Sequence, residues 1–293
     1  MAKDLYQEVT DKILAQMEAG TAPWVRPWSC TEGGMPFNAV SGKAYRGINT
    51  ILLWAPVGTS GNAWLTYKQA TDVGAQVRKG EKGSMIVFFK PWSITDKNDP
   101  ESKARTVPIL RSFTVFHTSQ IDGLPAKYLP VPVAVLPELE RIERAEKLMS
   151  QAVVNHGGDR AYYSTGTDAI QLPQMAQFES VAAYYATALH ELTHWTGNKA
   201  RLDREYGKRF GDTAYAREEL VAEMGAAFLC AHAGIESRMQ HAEYLANWIQ
   251  VLRNDKRAIV VAAGAAQKAA DFVMGVKFES VPVLVAARAL NTR

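Results

Sequence analysis

The stretch Ala188-Leu189-His190-Glu191-Leu192-Thr193-His194-Trp195 constrains this chain more than any other. The run before it, Phe178 to Thr187, is rich in alanine and free of glycine and proline, so helix is its least costly conformation. Ser180 is placed to be the N-cap. Gly197-Asn198 supplies the stop, since both residues tolerate the left-handed backbone that ends helices. On such a helix, two histidines four residues apart share one face and can hold one metal ion. Glu191 then stands beside the ion, where a carboxylate can take a proton from bound water.

A hydrolytic site of this kind needs a third protein ligand and an open position. A second helical run, Arg217 to Leu229, offers acidic candidates. Glu219 and Glu223 lie four apart on a face shared with Ala222, Ala226 and Ala227, so the face reads as buried and its carboxylates need partners. The simplest arrangement makes Glu219 the ligand and Glu223 an acceptor for the outer nitrogen of a ligand histidine. Glu218 sits about 100° away around the helix and reads as a solvated or helix-start charge. This donor set favours Zn²⁺, and Mn²⁺ is compatible with it.

His190, Glu191, His194 and the helix of Glu219 and Glu223 resemble the gluzincin metallopeptidases. The wider wording, from Ala161-Tyr162-Tyr163 through Asp168 to Pro173 and on to Arg201-Leu202-Asp203-Arg204, resembles the C-terminal domain of ArdC-type plasmid antirestriction proteins. Gly42 to Asn49, Trp64 to Ala70, Val77 to Gly83 and Phe113 to Gln120 resemble the single-stranded-DNA-binding domain of the same family. The similarity covers nearly the whole chain, with His117 standing where asparagine is expected. It implies zinc peptidase chemistry, single-stranded DNA as a partner (double-stranded DNA being compatible) and a host restriction-related protein as target. In zincin-like domains an edge strand ahead of the metal helix lines the cleft and can pair with an extended peptide.

At 293 residues the chain is longer than a typical single core. The expected fold is therefore α+β in two domains. Residues 1–125 form the DNA-binding unit, 126–137 a proline-rich linker and 138–293 a mainly helical zincin-like unit. No apolar run approaches the ~20 residues of a membrane span, and no signal peptide is read at the N-terminus. Cys30 and Cys230 are too few and too distant for a disulfide framework and read as passive thiols. Cytoplasm is the expected location, with no membrane partner.

Helix is expected from Asp4 to Glu18, where Leu5, Val9, Ile13, Leu14 and Met17 recur at helical spacing. A proline-rich loop follows over Gly20 to Trp28. Ile51 to Trp54 reads as an apolar helix or strand, and the segment from Trp64 to Val77 as a short helix. Strands are expected over Ser84 to Lys90 and Leu110 to His117, with an exposed loop over Thr95 to Thr106. Beyond the linker come a helix from Glu138 to Val153 and strands at Tyr162–Ser164 and Ile170–Leu172. Arg201 to Tyr215 reads as a cleft wall. The rest is mostly helical from Ala216 onward, closing on apolar residues.

Residues 1–130 hold 15 Lys and Arg against 11 Asp and Glu, a net of +4, while the remainder holds 18 against 19. That excess permits nucleic-acid binding. Single strands are held by cations for phosphates and aromatic faces for bases. Trp24, Trp28, Tyr45, Trp64 and Tyr67 are the candidate platforms, and Arg26, Arg46, Lys68, Arg78, Lys79 and Lys82 the candidate phosphate contacts. Asn49 joins them through the family resemblance, while Trp54 and Trp92, flanked by apolar residues, read as core. Three readings stand at this level. One is a two-part antirestriction protein of a mobile element, acting during conjugative transfer. Another is a DNA-binding accessory of conjugation or priming with a structural metal site. The last is a general cytoplasmic peptidase.

Overall fold

The computed structural model describes residues 4–20, 22–24, 35–54, 61–94, 105–130, 137–206, 213–236 and 242–276. Helix α1 spans Leu5–Glu18, and the Asp4 carboxylate accepts from the N–H groups of Tyr6 and Gln7 to cap it. Its buried Val9, Ile13, Leu14 and Met17 form the apolar stripe that the sequence spacing predicts. Strand β1 is Phe37–Asn38, α2 is Ile48–Leu53, β2 is Ala63–Thr66 and α3 is Tyr67–Asp72. A reciprocal cap between Thr66 and Gln69 starts α3. Gln76–Val77 form β3, Ser84–Ile94 β4, Arg105–His117 β5 and Ile121–Asp122 β6.

These strands make a four-stranded sheet in the order β1-β2-β5-β4 and a small β3-β6 clasp. β4 and β5 pair antiparallel from Ser84 opposite Val115 out to Ile94 opposite Arg105. Both strands outrun their expected ends, because Thr106 and Val107 suit a ladder as well as Val115 does. Thr106 thus belongs to a strand, and the remaining loop, 95–104, lies outside the described residues.

In the second half, α4 covers Glu138–Met149, β7 Val153–His156, β8 Tyr162–Ser164, β9 Ala169–Leu172 and α5 Val181–Thr196. Helices α6 (Thr213–Ala233), α7 (Ala242–Asn254) and α8 (Ala258–Val273) follow. The sequence carries α4 to Val153, but the helix stops at Met149. Val153 and Val154 instead pair parallel to Ala169 and Ile170, since two adjacent β-branched residues favour a ladder. The sheet order is β7-β9-β8, so β8 is an edge strand and β9, the last before α5, is central. Of the proline-rich stretch, Ala126–Tyr128 forms one 3₁₀ turn and 131–136 lies outside the described residues. Cys230 is buried in α6 as expected; Cys30 and residues 277–293 lie outside the described residues. No helix among the described residues is long and apolar enough to cross a membrane.

The halves share one core. Val9, Ile13 and Met17 of α1 join Trp24, Trp248 and Leu252 in the same apolar cluster as the helices of the second half. Trp24 meets Trp248 edge-on with ring centroids 5.7 Å apart. Thr10 donates to the Lys256 carbonyl at 2.8 Å, and Lys256 pairs with Asp4 at 2.6 Å. Farther along, the Gly47 N–H donates to Gln267 of α8 at 2.9 Å, and Arg46 pairs with Asp271.

Gly225 sets the approach of α6 to α5. A Cβ there would fall on Thr193 Cγ2 and within 2.9 Å of the Thr193 hydroxyl. Alanine would gain about 1 kcal/mol of helix propensity but overpack a seam where such changes cost about 1–3 kcal/mol. Gly225→Ala should therefore lower the thermal midpoint, and Thr193→Ala in the same chain should recover the loss. An unchanged midpoint in Gly225→Ala would show that the seam gives way freely.

Candidate functional site

Ser180 caps α5 by accepting from the Ala183 N–H at 3.1 Å, as expected. The helix stops at Thr196, but not by a left-handed residue. Gly197 keeps φ −78°, ψ −7°. Its lack of a side chain serves another purpose, since a Cβ there would come within 2.6 Å of the Tyr206 hydroxyl and 2.9 Å of Arg204 Nη2. The returning chain is thereby seated on the end of α5, where the Arg204 N–H donates to the Gly197 carbonyl at 2.9 Å.

His190 and His194 lie one turn apart, and their Nε2 atoms are 3.2 Å from each other. Glu219 of α6 completes the cluster, with Oε2 3.5 Å from His190 Nε2 and Oε1 3.5 Å from His194 Nε2. One ligand atom from each of the three lies within 4.8 Å of the others, and all three residues are buried. Glu191, next to His190, is also buried.

The outer nitrogens meet carboxylates too. Glu223 Oε1 is 3.7 Å from His190 Nδ1, on the side expected for it but beyond hydrogen-bond distance. Glu218 departs from expectation. It is buried rather than solvated, with Oε1 3.2 Å from His194 Nδ1. α6 begins at Thr213, so position 218 lies past the first turn and faces inward. Arg204 clamps it from the other side, Nη2 to Oε1 at 2.8 Å and Nε to Oε2 at 3.0 Å. Arg204 also donates to the Thr193 carbonyl at 2.7 Å and the Thr196 hydroxyl at 2.8 Å, while the Tyr206 hydroxyl donates to the His194 carbonyl at 2.6 Å. The expected cleft wall over Arg201 to Tyr215 is thus described as far as Tyr206, and 207–212 lies outside the described residues.

Burial opposes charge on these groups, and their mutual contacts overcome it. His194 is penalised by desolvation, yet hydrogen bonds to Glu218 and Glu219 push it up to about 10. The same burial would raise Glu218 and Glu219, but His194 with Arg204, and His190 with His194, hold them below the usual carboxylate range. Three buried carboxylates, Glu218, Glu219 and Glu223, face the two imidazoles. Two nitrogens and an oxygen converging within this negative surround fit a divalent cation.

The nucleic-acid candidates divide. Trp24, Tyr45 and Trp64 are core side chains, 1%, 7% and 4% exposed, and offer no face to a base. Trp64 is buried because β2 is covered on both faces, and its ring packs edge-on against His117. His117 is itself buried, its ring nitrogens 2.8 Å from the Ser119 hydroxyl and 3.0 Å from the Gly61 carbonyl. Asn49 is buried and ties α2 to β4, donating to the Val87 carbonyl at 2.7 Å and accepting from its N–H at 2.8 Å. Arg46 is committed to Asp271 rather than to a phosphate. Tyr67, Lys68, Arg78, Lys79 and Lys82 are on the surface, although Lys68 pairs with Asp72 and Arg78 with Glu81 and Asp122. Tyr67, Arg78 and Lys79 line an open groove of about 760 Å³ with Phe116 and Asp122. Trp54 packs on Phe228 in the core, as expected. Arg26, Trp28 and the Trp92 side chain lie outside the described residues.

Residues 143–265 match a family described as zincin-like metallopeptidase, and residues 3–116 match the N-terminal domain of anti-restriction factor ArdC. The protein y4eC of Sinorhizobium fredii is 42% identical over 92% of this chain and 91% of its own length. A DNA primase TraC of Escherichia coli is 41% identical over 95% of this chain, which spans only 20% of that protein. Two crystal structures of the antirestriction protein ArdC from the R388 plasmid, metal-free and Mn(II)-bound, are 42% identical. They superpose with TM-scores of 0.78 and 0.76, covering 93% of this chain and 97% and 98% of theirs.

Two outcomes follow from the geometry. Replacing Glu218 by Gln should weaken metal affinity by about 10–100-fold while the fold persists, because the partner that orients His194 loses its charge. Titration with a chelator competitor reads this, and wild-type affinity would refute it. The second concerns protons. A histidine raised from 6.5 to about 10 stabilises the metal-free protein below its ordinary value, and that contribution is lost as pH rises through about 10. At pH 7 the ion must displace this proton, so binding should release about one proton and weaken as pH falls. Calorimetry in buffers of different ionisation enthalpy measures the release, and a value near zero would contradict the assignment.

Proposed function

Since this chain belongs to the ArdC family of antirestriction proteins, we propose that it protects a mobile element's DNA as that DNA arrives single-stranded in the recipient cytoplasm. On this reading the N-terminal unit binds the strand. The C-terminal unit is a Zn²⁺ peptidase acting on a host restriction-related protein, and the division between units falls within 126–137. The convergence of His190, His194 and Glu219, with the buried Glu191 next to His190 in sequence, is the observation that carries the enzymatic half.

A bound divalent ion supplies Lewis acidity and lowers the pKa of its water to about 7. His190, His194 and Glu219 would hold it, and the donor set favours zinc, although a relative binds Mn(II). Glu191 accepts the proton of the attacking water and passes it to the leaving amine. Glu218, held by Arg204, keeps the His194 imidazole turned with Nε2 inward, and Glu223 lies on the outer side of His190. The edge strand β8 lies against α5 and offers a backbone ladder to an extended peptide.

For the DNA half, the surface candidates are Tyr67, Lys68, Arg78, Lys79 and Lys82. Tyr67 is 52% exposed and meets Phe116 edge-on beside the groove. The likeness to a segment of TraC, named a DNA primase, favours a second reading. In it the chain accompanies DNA in priming or transfer, and the metal centre is structural.

One experiment separates the two. Plasmid transfer into a restricting recipient is compared for wild type and Glu191→Gln, each normalised to a non-restricting recipient. Glu191→Gln should keep its metal and fold while losing at least about a hundredfold in hydrolysis, and protection should fall with it. Protection that survives in the metal-loaded variant would move the function to the DNA-binding half alone.

A further inference from the structure

The β4–β5 pair presents a surface that the family likeness does not assign. Along one face run Ser84, Ile86 and Phe88, opposite Val115, Phe113 and Arg111. Near its foot this face is core, with Ile86 and Val115 packed against Tyr45, Leu53 and Trp64. Farther out it opens to solvent. Phe88 is 45% and Phe113 50% exposed, and their rings meet edge-on with centroids 5.8 Å apart. Arg111 stands directly opposite Phe88 in the register, on the same face and exposed.

Two large aromatic rings left half in water forgo part of the stabilisation that burial gives, so the surface calls for an occupant. Its chemistry narrows the choice. Neither β4 nor β5 contains an acidic residue. Arg46, Lys68 and Arg78 are paired with carboxylates, whereas Arg111 makes no ion pair or hydrogen bond among the described residues. An uncommitted guanidinium on the same face as two exposed rings complements a phosphate next to stacked bases. Same-face positions along a strand are about 6.8 Å apart, the scale of an extended nucleotide.

We propose that Phe88, Arg111 and Phe113 form a stacking platform for single-stranded nucleic acid. The rings take two bases and Arg111 the phosphate linking them. This rests on the reading that the chain binds single strands, and it places a contact on the opposite face of β5 from the Tyr67–Phe116 groove.

The test is fluorescence anisotropy of the full chain with an oligo-dT of about 20 nucleotides at low salt. Wild type is compared with Phe88→Leu, Phe113→Leu, Phe113→Tyr, Arg111→Gln and, as the other-face comparison, Tyr67→Ala. Each Leu variant should lose at least about fivefold in affinity, and Phe113→Tyr should retain it, since leucine keeps apolarity without a stacking face. Arg111→Gln should reduce the slope of log affinity against log salt by about 0.7. If wild type binds and the Leu variants match it, the platform is refuted while single-strand binding stands. If wild type binds no oligonucleotide, both fail. Leu variants that bind DNA normally but lose plasmid protection would assign the strip to a protein partner and equally overturn the proposal.

Discussion

The close contact of α5 with α6 at Gly225 fixes where the charges of the candidate metal site fall. Only a residue without a side chain admits Thr193 at that depth. Six residues earlier on α6, the same spacing brings Glu219 to 3.5 Å from both Nε2 atoms. A wider seam would leave the carboxylate short of the histidines and would let water between groups whose mutual stabilisation depends on its exclusion. Packing and electrostatics are therefore one constraint here. The helices approach because the seam is small, and the charges hold one another because the helices approach.

Arg204 extends that constraint beyond the two helices. It reaches Glu218 with two hydrogen bonds and the end of α5 with two more. A cation placed behind the carboxylate that faces His194 keeps that carboxylate ionised and aimed. The chain segment after α5 is thus part of the site's electrostatics, and the missing side chain at Gly197 is what lets it sit there.

The clustering of the candidate ligands was legible in the sequence because helical periodicity decides which residues share a face. His190 with His194, and Glu219 with Glu223, follow from spacing four. Glu218 was not legible. Its burial depends on where α6 starts and on Arg204 arriving from outside both helices, and neither is written in local spacing. The aromatic candidates failed for a related reason. A tryptophan in a short strand looks alike whether its faces are covered or bare, and Trp64 is covered on both by segments remote in sequence. Conversely Phe88 and Phe113 read as ordinary strand residues, and only the outward reach of β4 and β5 exposes them. Helix α1 was legible from its stripe, but nothing in the stripe says which body it would cover.

That destination changes what counts as a separable piece. α1 opens the half associated with DNA, yet its apolar side belongs to the core of the metal half, and Gly47 and Arg46 are fastened to α8. The chain therefore crosses between the two bodies more than once, like a thread sewn through both edges of a seam. Severing it at the proline-rich stretch would not yield two independent proteins. It would strip a helix from the helical body and leave Trp248 and Leu252 facing solvent. A disturbance at either half would be felt as a change in the cohesion of the whole.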